Sequence, residues 1–383
     1  QTDETPELRF QAACVLASFD PNNEEWQGEG FQTFIAGHLV GVRPSELLPW
    51  TNALRPVKEH LTAALSTIYS NPEAWEQVRS FATNTLADYW SDNPDGLFDL
   101  LANANEKQFE PIFNKLDSHR EQAVALGNAE VARAVAEDAS EDDREALAIR
   151  QANVAVLLLR MNAADQVWPL LKHSPDPRVR SYIIHWLSPR GGDARTITAR
   201  YEQETDDTIK RALLLCLGEC ELSDSDRQSL IEKLLYVYRS EPDPGLHAAA
   251  EWLLRQWKQG EQLAAIDKEL QQREDELVAA KDEKRQWYVN SQGQTFVILD
   301  AGEFQMGSPE TEAAHKTNEA LHRRRIGRRI AISTKEVTYE QWRVFSELQS
   351  GKVWSGDQEQ YKHYILSDDS PMIMMTWYEA THY

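Results

Sequence analysis

The chain repeats one local design. An opening built from Pro or Asp leads into a helix-like apolar stripe at Pro6-Glu7-Leu8-Arg9 and at Asp176-Pro177-Arg178-Val179-Arg180. It recurs at Asp207-Thr208-Ile209-Lys210 and at Asp243-Pro244-Gly245-Leu246-His247. Superposed, these segments align Leu8, Val179, Ile209 and Leu246, and eight residues later Leu16, Leu187, Leu217 and Leu254. Pro177, Asp207 and Pro244 are spaced by 30 and 37 residues. Asp can accept from the free N–H groups of a first helical turn, and Pro fits where no N–H is needed. Apolar residues at i, i+4 and i+8 then form one stripe. A unit of this size is a helix pair, which cannot bury its stripe alone and must stack on neighbours.

The D-P-x-V-R opening at this period resembles HEAT-like repeats, which implies an α-solenoid; a non-repetitive α-bundle with shared capping chemistry is the alternative. Weaker echoes lie at Val78-Arg79 and Ile149-Arg150, each expected to open a helix. Between the units, the acidic run from Glu137-Asp138 to Glu145 reads as a solvated helix end or loop without a role of its own.

Composition turns near residue 287. Upstream lie Ala-, Leu-, Glu-, Gln- and Arg-rich segments of helical period; downstream come Val/Ile/Phe alternation, Gly-containing turns and Trp/Tyr clusters, which suit strands. The net charge is −22, and 287–383 holds 13 acidic and 10 basic residues, so −19 falls on 1–286. That acidity argues against a dedicated nucleic-acid binder. Residues 1–258 thus read as the helical-repeat region and 259–286 as an exposed, charged linker helix carrying Leu263, Ile266, Leu270 and Leu277. Residues 287–383 read as a separate unit. The longest apolar run, Val154 to Leu159, is far shorter than the roughly 20 residues of a membrane span. With no visible leader and Gln at position 1, the sequence is expected to be an internal piece of a longer protein.

In the last unit, short strands are expected on either side of Ala301-Gly302, the second ending at Met306-Gly307-Ser308. An Arg-rich strand is expected from His322 to Ile332, followed by Glu336-Val337-Thr338 and a helix through Phe345. Pro371-Met372 then leads to Thr376-Trp377-Tyr378-Glu379-Ala380. In order and spacing these motifs resemble the opening of the formylglycine-generating-enzyme family, also called the sulfatase-modifying-factor or ergothioneine-synthase-like family. The resemblance covers 287–383 and implies the start of an α+β, C-type-lectin-like fold. The whole arrangement also resembles large planctomycete proteins in which a Ser/Thr kinase domain, and often a membrane helix, precedes this pair of regions. That likeness would leave an extracytoplasmic location open.

The family domain is two to three times longer than this segment. The family's copper, calcium or iron ligands are implied to lie downstream of residue 383, so no catalytic, cofactor-binding or metal-binding residue is assigned here. Among local candidates, His315 and His322 share no ligand spacing with an acidic partner. His185 and His247 read as packing or capping residues, and Cys216 and Cys220, four apart among leucines, as buried structural thiols. Gly28-Glu29-Gly30-Phe31 lacks the context of a phosphate loop and reads as a turn. Arg323-Arg324-Arg325-Ile326-Gly327-Arg328-Arg329 is the one dense basic cluster. It reads as a strand with a charged outer face, neutralised locally by Glu310, Glu312 and Glu319, rather than as a nucleic-acid surface. Met372, Ile373, Met374 and Trp377 are expected to be uncovered apolar residues.

Two functional classes follow. One is a signalling-type scaffold that binds a protein partner on the helical-repeat surface and carries a domain inactive in this extent. The other is part of an oxidoreductase acting on a cysteine or thiol substrate.

Overall fold

The computed structural model describes residues 5–136, 138–272, 285–290, 292–308, 315–348 and 364–383. They form two compact units, Gln1–Leu222 and Ser223–Tyr383. Among the described residues, no helix is long and apolar enough to cross a membrane.

The first unit is helical throughout. It runs α1 (Pro6–Phe19), α2 (Glu29–Leu39), α3 (Pro44–Leu54), α4 (Lys58–Ser70), α5 (Glu76–Tyr89) and α6 (Pro94–Ala102). It continues α7 (Glu106–Leu116), α8 (Arg120–Val131), α9 (Glu141–Arg160), α10 (Arg178–Trp186), α11 (Ala194–Gln203) and α12 (Asp207–Glu219). Capping chemistry starts many of them. Asn105 and Ser140 each make a reciprocal capping box, with Gln108 and Asp143, and Asp206 accepts from the N–H groups of Thr208 and Ile209. The acidic run around Glu141 is therefore the first turn of α9, where negative charge suits the helix dipole; Glu137 lies outside the described residues.

Packing proceeds from neighbour to neighbour: α4 on α5, α5 on α7, α8 on α9, α9 on α10, and α12 on both α10 and α11. The most buried segment is the middle of α9, where Val154, Ala155, Val156, Leu157 and Leu158 are fully enclosed. So many apolar contacts on every side explain why a helix of modest amphipathicity holds there. Its one fully buried amide, Asn153, is partnered through its nitrogen: Nδ2 donates to the carbonyls of Ala102 and Ala104, both at 2.9 Å, while Oδ1 has no partner among the described residues.

The repeated openings coincide with helix starts at Pro6, Arg178 and Asp207, and in the second unit at Pro244. Ile209, Leu246, Leu187, Leu217 and Leu254 are buried. Val179 and Leu16 are only half-buried, and Leu8 is 54% exposed. The aligned stripe is thus bare at its first position in α1, whose buried face is Phe10, Ala13, Cys14 and Ala17 instead. Of the weaker echoes, Val78 lies in the first turn of α5, whereas Ile149-Arg150 falls inside α9 and opens nothing.

Among the described residues, the second unit joins a run of three helices to two small sheets, with two further helices, Tyr339–Leu348 and Trp377–His382, after them. The run is α13 (Asp224–Ser240), α14 (Pro244–Gln256) and α15 (Gly260–Gln272). β1 (Trp287–Val289), β2 (Thr295–Leu299) and β5 (Ile330–Ser333) form an antiparallel sheet in the order β1-β2-β5. β3 (Gly302–Met306) and β4 (His322–Ile326) form a separate antiparallel ribbon. Two strand expectations change here. The strands flanking Ala301-Gly302 belong to different sheets, and the expected strand from His322 to Ile332 divides at Gly327 into β4 and β5.

The expected exposed linker is also different over its described half. α15 buries Leu263, Ile266 and Leu270, each 4% exposed or less, and packs on α13, α14 and β1; Leu277 lies outside the described residues. Composition changes at residue 287, but the contacts divide at 222/223 because β1 needs α13 and α14 as its partners. Trp287 Nε1 donates to the carbonyl of Glu241 at 2.7 Å, and its ring stacks on His247 at 3.6 Å between centroids.

Candidate binding cleft

At least five segments of the second unit place side chains, most of them polar, around one cleft of about 500 Å³. α13 contributes Tyr238, α14 contributes Glu251 and Arg255, and α15 contributes Asp267. The chain leaving β5 adds Lys335 and Glu336, and the helix Tyr339–Leu348 adds Glu340, Gln341 and Val344. Spacing explains the first cluster: Glu251 and Arg255 are i,i+4 on one face, in the favourable order of acid before base.

Glu251 is the centre of this arrangement. It is 6% exposed, and both cations converge on one of its oxygens: Arg255 Nε donates to Oε1 at 2.8 Å and Lys335 Nζ at 2.5 Å. Burial alone would raise its pKa; the adjacent Lys335 and Arg255 outweigh that and hold it below the ordinary carboxylate value. Asp267 moves the opposite way. Burial raises it, against a hydrogen bond from the Tyr238 hydroxyl at 2.5 Å, and the charge on Glu251 adds to the rise. Desolvation likewise raises the Tyr238 phenol.

His247 supports the floor from behind. It is 1% exposed, and its ring stacks on Tyr238 at 4.4 Å and on Trp287 at 3.6 Å. Nδ1 lies 2.7 Å from the Tyr238 carbonyl, which can only accept, so the proton sits on Nδ1 and Nε2 keeps a buried lone pair with no partner. Burial lowers its pKa to about 4.

Among the motifs at the end of the chain, the conspicuous residues hold backbone. Gly307 has φ +95°, and a Cβ there would sit 2.5 Å from the carbonyl oxygens of Glu319 and Ala320, so the Met-Gly-Ser segment requires glycine. Ser308 Oγ lies 2.9 Å from His315 Nδ1 and donates to Glu319 Oε2 at 3.2 Å, pinning the incoming loop. Thr338 and Gln341 cap the helix Tyr339–Leu348 reciprocally, at 3.0 and 3.3 Å. Val337 accepts from the N–H of Met372 at 2.8 Å. Thr376 and Glu379 form a capping box for the helix Trp377–His382.

The remaining sequence candidates are scattered. His322 is bonded to the Ala320 carbonyl and Arg324. His185 is not a packing residue: its side chain is exposed, 3.5 Å from Glu219. Cys216 is fully buried, while Cys220 is half-buried, its thiol pushed up to about 11 by burial. Gly28 links a 3₁₀ turn to α2, whose first residues include Gly30.

In the basic cluster, the local partners of Arg323 and Arg329 are Glu303 and Asp300. Glu319 is instead engaged by Ser308 and Lys316, and Glu310 and Glu312 lie outside the described residues. Met372 is buried at 7%, unlike Met374 and Trp377, which are 58% and 71% exposed. Among the described residues, no three His, Cys, Asp or Glu side chains are grouped so as to hold a metal ion.

The cleft itself was not visible in sequence. Its walls come from segments more than a hundred residues apart, and the one local signal was the Glu251/Arg255 spacing.

Residues 282–383 match the family model of the Sulfatase-modifying factor enzyme 1-like domain. No curated protein and no solved structure matches the chain.

Proposed function

We propose that this chain is a binding region of a multidomain signalling-type protein, with a HEAT-like helical scaffold joined to a sulfatase-modifying-factor-type domain that does not catalyse in this extent. The observation that carries the reading is the work done by the motif residues. Gly307, Ser308, Thr338, Gln341, Thr376 and Glu379 close turns and cap helices. A segment whose motif residues are spent on backbone geometry offers a framework for a site rather than reacting groups. The neighbour-to-neighbour packing of α4 to α12 supports the repeat reading, because stacked helix pairs bury their stripes on adjacent pairs. Their surface, in a region of net acidic charge, is where a protein partner would bind.

The rival reading, part of a formylglycine-generating or nonheme-iron oxidoreductase, rests on the family match at 282–383. It would need soft or imidazole metal ligands, and 287–383 contains no cysteine. The deciding experiment loads the purified chain with copper(I) or iron(II), removes excess metal and follows oxygen-dependent oxidation of a thiol peptide. The expected result is no turnover and no stoichiometric metal. One tightly held ion per chain together with turnover would establish the oxidoreductase instead.

A further inference from the structure

Helix α1 is apolar on two opposite faces. One, made of Phe10, Ala13, Cys14 and Ala17, is buried against the rest of its unit. The other is Leu8, Ala12, Val15 and Phe19, spaced 4, 3 and 4 residues apart. At 3.6 residues per turn these four fall along one line, and this spacing is that of the a/d seam of a coiled coil. All four are exposed, Leu8 at 54%, Val15 at 57% and Phe19 at 86%. The first helix of a stack ordinarily turns a polar face to water. This one turns an apolar seam.

We propose that this face is a homodimer interface, in which α1 of two copies pair antiparallel about a two-fold axis. The seam is complementary to itself in that direction: Leu8 meets Phe19 of the other copy, and the small Ala12 meets the branched Val15. The residues beside the seam are Arg9, Gln11, Leu16 and Ser18. In a chain of net charge −22, neither the seam nor these flanks carry a carboxylate, so two copies can approach here without opposing like charges. Glu7, the one acid of the helix, lies well round it. Arg9 is exposed, its guanidinium held over the rings of Phe31 and Phe34 without an ion pair among the described residues. Antiparallel pairing brings it beside the end of the other helix that carries the exposed C-cap Asp20, and symmetry makes this charge match twice. The pairing does not depend on a protein partner elsewhere on the helical surface.

The test is sedimentation velocity of the whole chain up to about 500 µM, in ~0.15 M salt to screen the general repulsion between acidic copies. A reversible dimer should form at roughly tens to hundreds of micromolar, because one helix per copy buries less than the ~1,000 Å² of a tight interface. Val15→Glu and Phe19→Glu, both at exposed sites, should keep the melting temperature and weaken dimerisation at least about tenfold. Direction is read by mixing a Val15→Lys chain with an Ala12→Glu chain. Each alone should be monomeric and the mixture should dimerise, since antiparallel pairing sets the new lysine against the new glutamate and parallel pairing does not. Should a single variant melt lower, the mixture decides, because both its members carry a seam substitution. The proposal fails if association survives Val15→Glu or if the mixture stays monomeric. A native chain that is monomeric throughout would leave the seam to another occupant and overturn it as well.

Discussion

The two units solve burial differently. In the first, the core is largely aliphatic with isolated Phe, Trp and Tyr rings, and buried side chains such as Tyr69, Tyr89 and Asn153 donate to backbone carbonyls of other helices; the centre of α9 excludes water with Val, Ala and Leu alone. In the second, the enclosed residues around β1 are an aromatic stack and ionisable side chains: Tyr238, His247, Trp287 and Glu251. Strands β3 and β4 are almost wholly exposed. An aliphatic core tolerates any pH and fails through cavities or inserted charge. A core built from titratable groups is held by specific partners and responds to protonation.

Breaking the comparison starts with the largest effect. Ile209→Asp places a charge at a site 7% exposed in α12 and should cost several kcal/mol, on the order of 3–5, whereas Val179→Asp at a half-buried site should cost only ~1–2. Equal losses in thermal melts followed by helical circular dichroism would show that the stripe is not buried as described.

In the second unit, Trp287→Ala removes a ring that is 1% exposed, its stack on His247 and its hydrogen bond to Glu241, and should destabilise by ~3–5 kcal/mol. Hydrogen exchange should report the loss in α14, α15 and β1 while α9 keeps its protection. Uniform loss across both units would contradict the division at 222/223.

The pH response sharpens the contrast further. His247 has a pKa of about 4 when folded and 6.5 as its ordinary value, so the unfolded chain binds a proton that the folded chain refuses. Stability of the second unit should therefore fall as pH drops through 6.5, with the loss complete below about 4 and ~3 kcal/mol at most. Asp267, raised by burial, opposes part of this in acid, because its folded form takes up a proton first. Urea unfolding monitored in β1 at pH 7 and pH 4.5 should show the drop. His247→Asn should flatten it, and a slope that survives this substitution would assign it to other groups.

The smallest effects are at the caps. Asp206→Ala in the first unit and Thr376→Ala in the second should each cost ~1 kcal/mol, read as a modest fall in melting temperature.

How much could be read beforehand follows the same contrast. Helix starts at Pro6, Arg178, Asp207 and Pro244 were legible because capping is a local event, written within four residues of the start. The bare Leu8 was not, since the sequence pattern states which face is apolar but not whether anything covers it. The split of the Arg-rich segment at Gly327 and the separate sheets of β2 and β3 were hidden because strand pairing is non-local. The cleft was hidden for that reason too: Lys335 and Glu251 are 84 positions apart.

The tie between Trp287 and the carbonyl of Glu241 bears on how this protein can be dissected. An expression boundary drawn where composition changes, just before Trp287, would cut through a folding unit. The C-terminal product would begin with a naked indole that has lost its histidine platform. The N-terminal product would keep Glu251 with Arg255 alone, its lysine counter-charge removed to the other tube. Poor solubility of such a product would report the cut and not the domain. A boundary ahead of Ser223 keeps both partners of each contact on one polypeptide.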